Sequence, residues 1–67
     1  MNFAQFILKH KNDDNMVGLF CKHAIQDSDY PSNKPFIKQL QYLEENKAPR
    51  EALKSFVHSY KAWIDKT

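Results

Sequence analysis

Apolar residues recur every three or four positions through most of this chain, and short polar breaks divide the pattern into four segments. The first runs over residues 3–10. Phe3, Phe6 and Ile7 stand at i, i+3 and i+4, and Asn2 precedes them as an N-cap. Lys9, His10 and Lys11 close the segment, where cations complement the helix dipole. Asn12-Asp13-Asp14-Asn15 interrupts the pattern and supplies a cap for a second helix over 15–28. Its stripe is Val17, Phe20, Cys21, Ala24 and Ile25. Tyr30-Pro31 follows, and proline ends the helix because it lacks an N–H and drives the preceding residue out of helical geometry.

Ser32-Asn33-Lys34-Pro35 opens a third helix over 35–45, with Pro35 suited to its first turn and Phe36, Ile37, Leu40 and Leu43 facing inward. Tyr42 falls off that stripe, which predicts an exposed ring. Pro49 starts a fourth helix over 49–65. It carries the strongest stripe of the chain: Leu53, Phe56, Val57, Tyr60, Trp63 and Ile64. Four helices with short connections predict an all-α domain, and their unequal lengths argue against a regular four-helix bundle. The single glycine, Gly18, lies inside a periodic segment rather than at a turn.

Size narrows this further. Sixty-seven residues suffice for one domain with one small core and modest stability. Cys21 is the only cysteine, so no internal disulfide reinforces that core, and a reducing cytoplasm is expected. No apolar run approaches the roughly 20 residues of a membrane span, and residues 1–6 lack the basic start and apolar core of a signal peptide. The net charge of +2 is unevenly spread. Residues 1–33 hold three lysines against four aspartates, a net −1, whereas residues 34–67 hold six lysines and Arg50 against four acids, a net +3.

Three groups of side chains invite chemistry. Cys21, His23 and Asp27 lie within seven residues. Residues two apart on a helix diverge by about 200°, so Cys21 and His23 cannot act together, and Cys21 on the apolar stripe reads as core. His10, His23 and His58 are scattered without metal-ligand spacing, so neither a metal nor a cofactor is expected. Asp27 reads first as a cap that fixes the exit of the second helix, with a binding role for the exposed acids of Asp27-Ser28-Asp29 as the alternative. On the fourth helix, Arg50, Lys54, His58 and Lys61 form one basic stripe away from the core face. Such a stripe can be an ordinary solvated face, track phosphates, or meet an acidic protein. Neither a helix-hairpin-helix glycine turn nor a helix-turn-helix signature accompanies it, which weakens sequence-specific DNA recognition. An exposed Tyr42 would be a candidate partner anchor.

The aromatic first helix (Phe3, Phe6, with Leu8), the segment Phe20-x-x-x-Ala24-x-x-Asp27-x-x-Tyr30-Pro31, Tyr42-Leu43-Glu44, and the last helix with Phe56, Tyr60 and Trp63 together resemble the YozE-like family of short firmicute proteins. The resemblance covers nearly the whole chain. It implies a sterile-alpha-motif-like (SAM-like) fold of four to five short helices packed as crossed hairpins, and it implies no catalytic residues. The Asn12–Asn15 loop is acidic where that of the family is more basic and contains proline. The expectation is therefore a single cytoplasmic SAM-like domain over residues 1–67 that is not an enzyme, needs no cofactor and has no small-molecule substrate. It would bind a protein partner, or itself, through a helix surface and would not engage a membrane. Two alternatives stand beside this: nucleic-acid binding through Arg50, Lys54, His58 and Lys61, and inhibition of a host protein by a phage or mobile element.

Overall fold

A computed structural model describes residues 1–66. Four helices follow in order: α1 (Phe3–His10), α2 (Met16–Gln26), α3 (Phe36–Glu45) and α4 (Arg50–Lys66). No strand occurs among the described residues.

Local chemistry sets most of the helix ends. Asn2 caps α1 in a capping box: its side chain accepts from the Gln5 N–H at 2.8 Å, and Gln5 Oε1 accepts from the Asn2 N–H at 3.0 Å. Asn15 caps α2 by accepting from the Gly18 N–H at 3.0 Å. Pro35 and Pro49 sit one residue earlier than expected, before the first helical residue rather than within the first turn. Each offers its carbonyl to the first helical bonds, from Gln39 N–H at 3.1 Å and Leu53 N–H at 3.1 Å. At the end of α3 the Ala48 N–H reaches back to the Leu43 carbonyl and the Lys47 N–H to that of Glu44. Lys47 adopts φ 57°, completing a Schellman motif at a position glycine usually fills.

The helices form two hairpins, α1–α2 and α3–α4, that meet mainly through α2 packed on α4. The core at this junction is Phe3, Phe6, Ile7, Val17, Phe20, Cys21, Ala24 and Phe56. It is an aromatic core. Phe56 is fully buried and lies 5.5 Å from Phe20 and 5.1 Å from Phe36, centroid to centroid. Phe3 brings α1 onto α4, its ring 4.9 Å from Tyr60 and 5.4 Å from Trp63. The Trp63 Nε1–H donates to the Met1 carbonyl at 2.9 Å and ties the two ends of the chain together.

The stripes predicted for α1 and for most of α2 are buried. Three of the four helices nevertheless leave part of their expected inner face in solvent. Ile25 is 40 % exposed, Ile37 is 55 %, Val57 is 45 % and Ile64 is 53 %. Polar residues take the vacated places: Gln39 on α3, and Ser55 and Ser59 on α4, are buried. The serine hydroxyls donate within their own helix, Ser55 to the Ala52 carbonyl and Ser59 to the Ser55 carbonyl at 2.7 Å. Bonded in this way, a serine occupies a core position as a small side chain with no unmet polar group, and it lets a neighbouring helix approach closely.

Candidate functional site

Arg50, Lys54, His58 and Lys61 all project from the solvent face of α4, and all are exposed. The structure brings the four together around a shallow groove of about 450 Å³ whose floor is Met16, Leu53 and Val57. Met16 comes from the start of α2, so the groove spans the α2–α4 junction rather than one helix. Among the described residues the sole ion pair is His10–Asp13, so no carboxylate among them pairs with Arg50, Lys54 or Lys61. The site therefore combines uncompensated positive charge with accessible apolar surface.

The basic stripe was visible in the spacing of α4; the apolar floor was not. Leu53 and Val57 belong to the stripe expected to face inward. Burial of Ser55 and Ser59 turns α4 so that Leu53 is only half-buried and Val57 is exposed. The spacing of the two serines, i and i+4, was the one sign in the sequence that the buried arc lies to one side of the obvious apolar one.

Tyr42 is not the free surface ring that its position off the α3 stripe suggests. It is half-buried, with its ring in an edge contact with Tyr30 at 5.6 Å and its hydroxyl donating to Asp27 Oδ2 at 2.5 Å. That hydrogen bond is the largest cause, ahead of burial and the charges of Asp27 and Asp29, that pushes the Tyr42 phenol up to about 12. Asp27 ends α2 as its C-cap, and its other oxygen accepts from the Asp29 N–H at 3.0 Å, so the expected capping role describes its geometry. Beside this pair, the Tyr30 hydroxyl donates to Gln39 Oε1 at 2.9 Å, and Gln39 Nε2 donates to the Lys34 carbonyl at 2.7 Å. Burial, followed by the charges of Tyr42 and Asp27, raises the Tyr30 phenol as well. Together these groups lock the 27–34 connection onto α3. Spacing along the chain gave no sign of this network, because its partners are nine and fifteen residues apart.

Cys21 is completely buried while His23 is exposed, so α2 holds them apart as its geometry requires. Burial first, and the charge of Asp13 second, push the thiol up to about 11, which makes it a poor nucleophile. Among the described residues no group of three or more His, Cys, Asp or Glu side chains is placed to hold a metal ion. No helix among them is long and apolar enough to cross a membrane.

The family model for the YozE SAM-like fold matches residues 2–65. No curated protein and no solved structure matches the chain. The aromatic α1, the Tyr30-Pro31 stop after α2 and the aromatic α4 thus carry a family identity as well as a fold: the chain belongs to the YozE SAM-like fold family.

Proposed function

We propose that this protein is a small, non-enzymatic interaction module whose α4 face binds an acidic, amphipathic segment of a protein partner. The observation that carries this reading is the groove itself, where Arg50, Lys54, His58 and Lys61 border an apolar floor of exposed Met16 and Val57 and half-buried Leu53. A partner helix with apolar residues along one face and carboxylates beside them would cover both features at once. A phosphate backbone would answer the charge but leave the apolar floor uncovered, so a protein ligand fits better than nucleic acid. The buried, free Cys21 suits a reducing compartment, in keeping with a cytoplasmic partner.

The test compares two surface variants that leave the core untouched, Val57→Asp and the double variant Lys54→Glu/Lys61→Glu, each shown to be folded by circular dichroism. Both should weaken partner binding by about tenfold or more, since both the apolar and the charged components are lost at the centre of the contact. Fluorescence anisotropy with a labelled DNA duplex separates the readings. Salt-sensitive DNA binding that Lys54→Glu/Lys61→Glu abolishes and Val57→Asp leaves intact would establish the nucleic-acid alternative. A partner retained by both variants would remove α4 from consideration.

A further inference from the structure

A second concavity lies away from the α4 groove. It is a cavity of about 280 Å³ where the end of α2, the end of α3 and the start of α4 converge. Small side chains, Ala24, Ala48 and Ala52, create the space. Phe20 and Tyr30 give it aromatic walls, their rings in edge contact at 5.6 Å. Asp27 belongs to the same lining, and so does His23, one helical turn earlier on α2.

The state of Asp27 gives this cavity its chemistry. Its two oxygens are each held by a neutral donor, the Asp29 N–H and the Tyr42 hydroxyl. No lysine, arginine or histidine among the described residues forms an ion pair with it. The carboxylate is half-buried, fixed in orientation and lacks a counter-cation, and each oxygen retains acceptor capacity. A fixed carboxylate beside two aromatic rings is the arrangement that recognises an organic ammonium, through a charge-assisted hydrogen bond and cation–π attraction. The volume is at the small end for ligand pockets, so the ligand is a single short chain or ring rather than a nucleotide-sized molecule.

We propose that the cavity between α2, α3 and α4 binds a small primary ammonium group carrying an apolar chain or ring, with Asp27 holding the ammonium and Phe20 and Tyr30 enclosing the rest. Such a group can be a free amine or the lysine side chain of a partner; the recognition chemistry is the same. This site is independent of the α4 groove and stands or falls without it.

Titrations of the ¹⁵N-labelled protein followed by amide chemical shifts test the proposal. The probes are phenethylammonium, its neutral analogue phenethyl alcohol, the anion phenylacetate, and Nα-acetyl-lysine methylamide. Phenethylammonium should shift amides around residues 20–30 and 48–55 in a saturable, millimolar titration, and it should bind about fivefold more tightly than the alcohol, the effect expected of one partly exposed ion pair. Asp27→Asn should abolish that preference while keeping an acceptor for the Asp29 N–H. Should that variant fail to fold, Ala52→Leu, which fills the cavity and leaves Asp27 in place, should abolish the shifts. Binding of the lysine derivative at the same amides assigns the site to a partner side chain, whereas binding of phenethylammonium alone assigns it to a free amine. Equal affinity for ammonium, alcohol and anion, or no saturable shift with any probe, overturns the proposal.

Discussion

A methyl group at Gly18 would lie 1.7 Å from the Asp13 carbonyl oxygen. Asp13 belongs to the connection between α1 and α2, where its carboxylate is also bonded to His10 Nδ1 at 2.7 Å. Gly18 is thus the place where that connection lies directly on α2. Replacing an interior helix glycine by alanine ordinarily stabilises a helix by up to about 1 kcal/mol. Here the sign reverses. Gly18→Ala is expected to lower stability by about 1–3 kcal/mol in urea unfolding, because main chain rather than a flexible side chain must move; a neutral or stabilising result would show that the loop yields freely. Gln39 makes a second point at this scale. It is fully buried, and both ends of its amide are bonded, to the Tyr30 hydroxyl and to the Lys34 carbonyl. Gln39→Leu leaves a phenol and a carbonyl without partners and should cost about 2–3 kcal/mol. A cost near zero would mean that water replaces the amide. Neither effect follows from residue type alone: a helix glycine and a helix glutamine are unremarkable until their neighbours across the fold are known.

The elements show why their stripes were only partly legible. The period of apolar residues identified each helix, and the turn residues placed its ends within two positions. Which arc of a helix is buried depends on what packs against it. On α4, two serines that satisfy themselves within the helix lie on the inner face, and Val57 is displaced outward to help form the groove. On α3, a bonded glutamine is buried while Ile37 faces solvent. The same helix ends in a left-handed Lys47, where a side chain costs energy that glycine would avoid. Lys47→Gly is therefore expected to raise stability by about 0.5–1 kcal/mol, part of the gain being offset by the greater freedom of glycine in the unfolded chain. A higher urea midpoint with an unchanged slope is the signature to look for; a lower midpoint would mean that the lysine makes a contact worth more than the strain.

At the scale of the whole molecule, three buried or bonded acids link the fold to alkaline pH. Cys21 is raised from 9.0 to about 11, Tyr42 from 10.0 to about 12, and Tyr30 is raised as well. Each folded-state value lies above the unfolded one, so the native state keeps its protons longer than the unfolded chain does. The part carried by Cys21 and Tyr42 is fully present below about pH 9, begins to fall as the unfolded thiol and phenol ionise, and is lost as pH rises through 11 to 12, while the part carried by Tyr30 persists to higher pH still. Urea midpoints measured across this range should decline from about pH 9 upward. Tyr42→Phe should flatten the decline between 10 and 12, whereas an unchanged profile would remove the Asp27 bond as its cause. The buried thiol gives a companion result: Cys21 should resist a thiol reagent at neutral pH and react only as fast as the protein opens.

Four amphipathic helices, their ends to within two residues, and the basic stripe of α4 could all be read along the chain, because capping, proline geometry and apolar period are local properties. Its family was legible for the same reason, since the Phe20–Pro31 segment and the aromatic stripes are read position by position. That the α4 stripe borders an apolar groove completed by Met16 came from packing between helices. Tertiary packing likewise committed Tyr42 to Asp27 instead of to solvent, and gave Gln39 a place in the core. Those outcomes depend on contacts between residues distant in the chain. Packing a small core selects the set of inner faces that fit together, and the polar groups it encloses must find their partners wherever the fold brings them.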